Sequence, residues 1–116
     1  MFFCSQERYA ARMVKSYNQH CPVAKALDIV GEKWTLLILR DFFLHGNRRF
    51  QDLQESLTGI APNTLSARLK SLEKQGILER KIYSDSPPRL EYVLTRKGKD
   101  LGAVVKSLYQ WGEKYT

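Results

Sequence analysis

The sequence predicts a mainly α-helical chain with one small β-hairpin. Three observations carry that expectation. Apolar residues recur at helical spacing through most of the 116 residues, two short helical stretches meet at Thr58-Gly59-Ile60-Ala61, and β-branched and aromatic runs flank the polar stretch Ser84-Asp85-Ser86-Pro87-Pro88-Arg89. Two short helices joined by a tight glycine-containing turn make a helix-turn-helix, and a hairpin directly after it completes a winged-helix arrangement.

The elements follow in chain order. Tyr9, Ala10, Met13, Val14 and Tyr17 form a stripe that predicts a helix over Gln6 to Tyr17. Pro22, suited to a first helical turn, opens a second helix to about Val30, and Gly31 interrupts it. Lys33 to Leu44 is a strongly apolar helix, with Trp34, Leu37, Ile38, Asp41 and Phe42 wrapping much of its circumference, and is expected at the centre of the domain. His45-Gly46-Asn47 stops it. Phe50, Leu53 and Leu57 give the next helix one apolar face, and Pro62 then opens a helix with Leu65, Leu69 and Leu72 toward the core and Gly76 at its end. Ile77 to Tyr83 and Leu90 to Thr95 are the predicted strands. With Thr95 as N-cap, a last helix of about five turns carries Leu101, Val104, Val105, Leu108, Trp111 and Tyr115 on one stripe.

Composition narrows the function. The 19 Lys+Arg against 12 Asp+Glu give a net charge of +7, and 43% apolar residues suffice for a compact core. No run approaches the ~20 apolar residues of a membrane helix, and the N-terminus has no secretory pattern, so a soluble cytoplasmic protein with no membrane partner is expected. Cys4, Cys21, His20 and His45 match no usual metal spacing, and neither a metal nor a cofactor is expected. No Gly-rich phosphate loop, paired-carboxylate frame or Ser/His/Asp pattern points to an enzyme. The charge is placed unevenly: between Arg48 and Lys99, eleven basic residues face six acidic ones, so this stretch holds +5 of the +7.

That stretch includes the helix from Pro62. Turning 100° per residue from a core-facing Leu65 sets Asn63, Ala67, Lys70 and Lys74 on the outer side, flanked by Thr64, Ser66 and Ser71. Such a face is polar, small and free of acid. Small residues let a helix approach base edges, Asn63 fits an adenine edge, and lysines neutralise phosphates. Taken singly, Asn63 and Thr64 also suit helix capping, and Lys70 and Lys74 suit a solvated surface. Arg68, nearer the core, has two uses open to it: a DNA contact, or a tie to Asp52 or Glu55. Arg48 and Arg49 before the first helix of the motif, Arg80 and Lys81 on the hairpin, and Arg89 at its tip are expected beside phosphates. The expected partner is double-stranded DNA. The alternative is a winged-helix protein-interaction module without sequence-specific DNA binding.

The run Cys21-Pro22-Val23, the stretch Leu27 to Arg40 (LDIVGEKWTLLILR), Arg49-Phe50, the stretch Leu65 to Gly76 (LSARLKSLEKQG) and the stretch Pro87 to Thr95 (PPRLEYVLT) together strongly resemble the HxlR family of bacterial winged-helix transcriptional regulators. The resemblance covers about residues 20 to 112. It implies a homodimer on a palindromic operator, with the terminal helices as the interface, and, for the cysteine matching Cys21, a role in sensing electrophiles or oxidants in several members. The residues point to pairing independently, because the stripes Tyr9/Met13/Tyr17 and Leu101/Val105/Leu108/Trp111 exceed what a small winged-helix core covers. The expected organisation is one domain over 1–116, with dimerisation helices at about 6–20 and 97–116, the helix-turn-helix at about 49–76 and the wing at about 77–95.

Cys21, directly before Pro22, stands at a helix N-terminus, where backbone N–H groups favour a reactive thiolate if the side chain is exposed. His20 and Lys25 are near it in sequence, and Cys4 is a candidate resolving thiol across the dimer. Read from its residues alone, Cys21 is instead a small buried packing residue. The effector, if there is one, is an oxidant or a small molecule, the latter in an interface pocket lined by Trp34, Phe42 or Trp111; those three aromatics otherwise read as core.

Overall fold

The computed structural model describes residues 21–85 and 87–116. The helix expected over Gln6 to Tyr17, with Tyr9, Met13 and Tyr17, lies outside them, as does Cys4. The chain divides into two compact units, residues 1–33 and residues 34–116.

In the first unit, α1 (Pro22–Val30) begins on Pro22, whose missing N–H is one that no helix satisfies at that position. It ends at Gly31, where a β-carbon would collide with the Leu27 carbonyl oxygen that the Gly31 N–H already binds at 2.8 Å. Ala24 and Val30 are buried.

The second unit holds the rest. Its elements are α2 (Lys33–His45), α3 (Phe50–Ser56), α4 (Pro62–Lys74), β1 (Leu78–Asp85), β2 (Pro88–Leu94), α5 (Arg96–Lys99) and α6 (Gly102–Tyr115). Its core consists of Ile38, Leu39 and Phe42 of α2, Leu53 and Leu57, Ile60 of the turn, Leu65, Leu69 and Leu72 of α4, and Ile77, Leu78 and Val93 at the hairpin base. The α4 leucines fall at i, i+4 and i+7, which turns the opposite side of the helix to solvent. Gly76 stops α4 with φ +76, while the Gly76 and Ile77 N–H groups bind the Glu73 and Leu72 carbonyls. This Schellman closure reverses the chain into β1.

The hairpin is antiparallel, with Leu78 opposite Leu94, Arg80 opposite Tyr92 and Ile82 opposite Leu90. Its strands run closer to the tip than the sequence predicts. Pairing shifts by one residue at Tyr83 and resumes as Ser84 with Arg89 and Asp85 with Pro88, which a bulge permits. Pro88 is the first residue of β2, a strand position that tolerates its lack of a donor. Outside the hairpin, Arg48 forms an isolated bridge to Tyr92, giving and taking backbone hydrogen bonds of 3.1 and 2.7 Å.

Three expectations are corrected. The single five-turn C-terminal helix is two helices, broken at Asp100-Leu101. The first turn is pinned beneath the hairpin: Thr95 Oγ1 donates to the Gly76 carbonyl and accepts the Gly98 N–H, and Gly98 packs so closely on the Ile77 carbonyl that no β-carbon fits. The Leu101 N–H then binds the Gly98 carbonyl over three residues, and the chain sets off again from Gly102. Phe50, expected on the buried face of α3 with Leu53 and Leu57, is exposed, because it stands in the first turn of the helix. Trp111, read as core, is 61% exposed, whereas Phe42 is buried and Trp34 is half-buried.

Among the described residues, no helix is long and apolar enough to cross a membrane.

Candidate nucleic-acid interface

The outer side of α4 carries Pro62, Asn63, Ala67, Lys70, Ser71 and Lys74, all exposed, with Thr64, Ser66 and Arg68 half-buried beside them. The nearest carboxylate in sequence, Glu73, is half-buried and holds Arg80 Nε at 2.9 Å. Lys70, Lys74 and Arg68 form no ion pair with any described residue. Arg68 therefore ties to neither Asp52 nor Glu55. Neither Asn63 nor Thr64 caps α4, whose N-cap is Ala61 with no side-chain hydrogen bond. Asn63 is exposed and Thr64 half-buried.

The turn before α4 is held in place. The Ile60 N–H binds the Leu57 carbonyl at 3.1 Å, and Gln54 Nε2 donates to the Ile60 carbonyl at 2.8 Å. These bonds fix the angle between α3 and α4, which a groove-reading helix needs.

The hairpin presents Lys81 and Arg89 as exposed cations. Lys81 Nζ lies 3.7 Å from Glu79, a loose surface pair, and Arg89 at the tip is in no ion pair among the described residues. Arg80 is exposed but oriented by Glu73.

The two arginines before α3 differ from this pattern. Arg49 occupies the N-cap position of α3, and Asp52 supplies the acceptor there: its carboxylate accepts the Arg49 backbone N–H at 3.0 Å and a guanidinium N–H at 2.9 Å. The guanidinium hydrogen bond, followed by the backbone one, holds the Asp52 carboxyl down at about 2. In return Asp52, and after it Tyr83, push the Arg49 guanidinium further up, so it stays charged at any physiological pH. Arg48 is turned inward, with a side chain only 19% exposed. Its Nε donates to Asp41 Oδ2 at 2.8 Å and its Nη2 to the Asp52 carbonyl at 3.2 Å. Its expected place beside a phosphate is corrected: a guanidinium committed to a buried carboxylate serves the fold.

Sequence reasoning missed the hub of that arrangement. Asp41 of α2 is 1% exposed and accepts from both Arg48 Nε and, at 2.5 Å, Ser56 Oγ, while His45 Nε2 lies 4.0 Å away. It joins α2, the turn and the end of α3. The available signal was an acid on the wholly apolar side of a helix, which requires a buried partner. On the hairpin, Tyr92 is part-buried, and burial first, then the Glu73 charge, pushes its hydroxyl up, so it stays neutral.

Of the residues expected at a dimer interface, Leu101 and Val105 are half-buried and Leu108 and Trp111 are exposed. Val104, Leu108, Trp111 and Tyr115 form an uncovered stripe along α6, in which the Trp111 and Tyr115 ring centroids lie 5.4 Å apart. Trp34 and Phe42 do not line the hollow that Trp111 borders with Val104 and Leu108. Cys21 is the N-cap of α1, in extended backbone, as its sequence position implies. Its side chain is 2% exposed, a free thiol that caps nothing, so the exposure a reactive thiolate needs is not met in this conformation.

Comparison with known proteins agrees with this geometry. The family model for HxlR-like helix-turn-helix proteins matches residues 29–116. An uncharacterized HTH-type transcriptional regulator of Mycobacterium tuberculosis is 50% identical over 93 residues, covering 80% of this chain and 58% of the relative, so the chain spans little more than half of that protein's length. The HTH-type transcriptional regulator YvaP of Bacillus subtilis is 34% identical over 99 residues, covering 84% of this chain and 91% of its own. Among solved structures, the redox regulator HypR in its oxidized form superposes with a TM-score of 0.76 at 33% identity, covering 83% of this chain and 98% of that one. The reduced form of the transcriptional regulator YodB from Bacillus subtilis gives 0.70 at 32% identity, covering 84% and 95%. With most of its length matched by the family model and its helix-turn-helix and wing in place, the chain belongs to the HxlR family of winged-helix transcriptional regulators.

Proposed function

We propose that this regulator binds double-stranded DNA as a homodimer at a palindromic operator, with α4 in the major groove and the hairpin against the neighbouring backbone. The observation that carries the reading is the outer side of α4, which exposes Asn63, Ala67, Lys70 and Lys74 with no carboxylate among them. Asn63 in the first turn suits an adenine edge, Ala67 and Ser66 let the backbone approach, and Lys70 and Lys74 meet phosphates. Pro62 and Thr64 lie at the end of the helix that enters first, and Arg68 extends the contact along its flank. Lys81 and Arg89 serve the wing, and Arg49 and Arg80, paired but exposed, can exchange a carboxylate for a phosphate oxygen at small cost. The uncovered α6 stripe supports pairing through Leu108 and Trp111, with Leu101 and Val105 at its buried edge. Selection of genomic fragments by the purified protein, repeated across a salt series, tests the reading. Palindromic sites bound with a steep salt dependence are expected; binding indifferent to salt would favour a protein-interaction module instead. Analytical ultracentrifugation that finds only monomer at micromolar concentration would remove the dimer.

A second reading is favoured by the position of Cys21 at the α1 N-terminus together with the likeness to HypR and YodB, the former a redox regulator by description and the latter also solved after diamide treatment. In this reading oxidants act on Cys21 when local opening exposes the buried thiol, and DNA affinity changes as a result. Cys21→Ser should abolish the response of DNA binding to diamide; a variant that still responds would end this reading.

A further inference from the structure

The two faces of the hairpin differ in chemistry. Side chains alternate along an antiparallel ladder, so the pairs Arg80–Tyr92 and Ile82–Leu90 share one face, and Glu79–Val93 and Lys81–Glu91 share the other. The first face is turned toward α4: Arg80 Nε on it binds Glu73 Oε2 of that helix at 2.9 Å, and the Glu73 charge reaches the Tyr92 hydroxyl. The next pair outward is Ile82, 58% exposed, directly opposite Leu90, 47% exposed. These two aliphatic side chains adjoin each other and lie open to solvent beyond the point where the wing leaves the body of the domain.

Charge separates the faces further. The second carries two acids, Glu79 and Glu91, against the single cation Lys81, a balance that repels a polyanion. On the first, the acid nearest the pair on the side of α4 is Glu73, already held by Arg80, and Asp85 comes only past the bulge at the tip. A surface complementary to this face is therefore apolar where it meets Ile82 and Leu90 and anionic beside them. The wall of a DNA minor groove has that composition, deoxyribose carbons edged by phosphates. A helix in the major groove and a wing on its flank straddle one strand, so the wing face turned toward the helix meets the sugars of that strand.

We propose that Ile82 and Leu90 pack on the deoxyribose wall of the minor groove next to the major groove that α4 enters, and that this contact selects deoxyribose over ribose. A ribose would press its 2′-hydroxyl, which lines the minor groove, against two aliphatic side chains that offer it no hydrogen bond. The inference rests on the DNA reading of α4. It adds to the phosphate contacts of that reading a contact that does not depend on salt and a reason for preferring DNA to a duplex containing RNA.

Fluorescence-anisotropy titrations of the full chain on its selected operator, repeated across a salt series, test this with Ile82→Thr, Leu90→Thr and the double variant. Threonine keeps the strand propensity at these exposed positions, and thermal melts should be unchanged. The double variant should bind about 10-fold more weakly at every salt concentration with the salt slope intact, whereas Lys74→Ala lowers the slope. Single ribonucleotides, placed where the wing protects the operator from hydroxyl radicals, should weaken the unsubstituted chain several-fold and the double variant much less. Full-strength binding by the double variant overturns the proposal, as does a loss that comes with a lower salt slope. Equal losses from ribose in both chains assign that effect to sugar pucker and overturn it too. If ultracentrifugation shows the double variant losing its self-association while its DNA binding is kept, the pair belongs to a second copy of the chain and the proposal fails. A chain that binds no DNA at all removes the α4 reading and this inference together, while steep salt-dependent binding with silent wing variants removes this inference alone.

Discussion

The outer side of α4 and the turn leading into α3 both carry basic side chains, and the two regions use them in opposite ways. On α4, Lys70 and Lys74 stand exposed with no ion pair among the described residues. In the turn, Arg48 is held by Asp41 and Arg49 by Asp52, and on the nearby hairpin Arg80 is held by Glu73. Counting charges along the chain treats these residues alike. Pairing separates them into cations available to a polyanion and cations that assemble the domain, with Arg49 and Arg80 between the two because their pairs are exposed.

The sharpest test of that division is Asp41→Ala. It leaves Arg48 part-buried without its carboxylate and Ser56 without its acceptor, and should cost about 3 kcal/mol in urea unfolding. A loss under about 1 kcal/mol would place this pair with the exposed ones. On α4 the largest effects should appear in recognition. Asn63→Ala should reduce discrimination between operator and random DNA by about 1–3 kcal/mol, while Lys74→Ala should weaken binding to all DNA about equally and lower the salt slope by about one. Gel-shift titrations that give both variants the same profile would break the assignment of base reading to Asn63.

Asp52 should show in acid. Its carboxyl is held down at about 2 against an ordinary 3.8, so its contribution is complete above the ordinary value and is lost as pH falls from about 4 toward 2. Thermal melts of Asp52→Asn should lose that pH dependence and, at neutral pH, about 1 kcal/mol or less, the size of an exposed helix-cap contact. The smallest effect belongs to Arg80→Gln, whose exposed pair with Glu73 should contribute less than about 0.5 kcal/mol to thermal stability.

The parts of the fold legible in the sequence are those set locally. Pro22 and Pro62 at first helical positions, Gly76 past the end of α4, and leucines at i, i+4 and i+7 mark their elements without help from distant residues. The exposed side of α4 was legible for the same reason, since a helix with three buried leucines leaves only one orientation for Asn63, Lys70 and Lys74. What was hidden depends on the third dimension. Nothing in the spacing joins Asp41 to Arg48 and Ser56, seven and fifteen residues on. The break at Asp100-Leu101 has no proline to announce it, and the apolar period runs on from Leu101; contact of Gly98 with Ile77 decides it. Periodicity also identifies a stripe without saying what covers it, which is why Trp111 reads in the sequence both as core and as part of a pairing stripe, and only the structure shows it exposed.

The bridge between Arg48 and Tyr92 divides the wing mechanically. Below it, Leu78 to Arg80 and Tyr92 to Leu94 are bonded both to each other and, through Arg48, to the body that carries α3 and α4. Beyond it, from Ile82 and Leu90 outward, the backbone ladder joins the two strands only to one another, Tyr83 reaching Arg49 through its side chain, and a bulge softens the ladder further. The bridge is thus a fulcrum with a stiff arm and a compliant one. Amide hydrogens at Arg48 and Tyr92 should exchange with the slow core, those beyond Ile82 with the surface, and the outer arm can follow a groove of varying width while the helix below it keeps its aim.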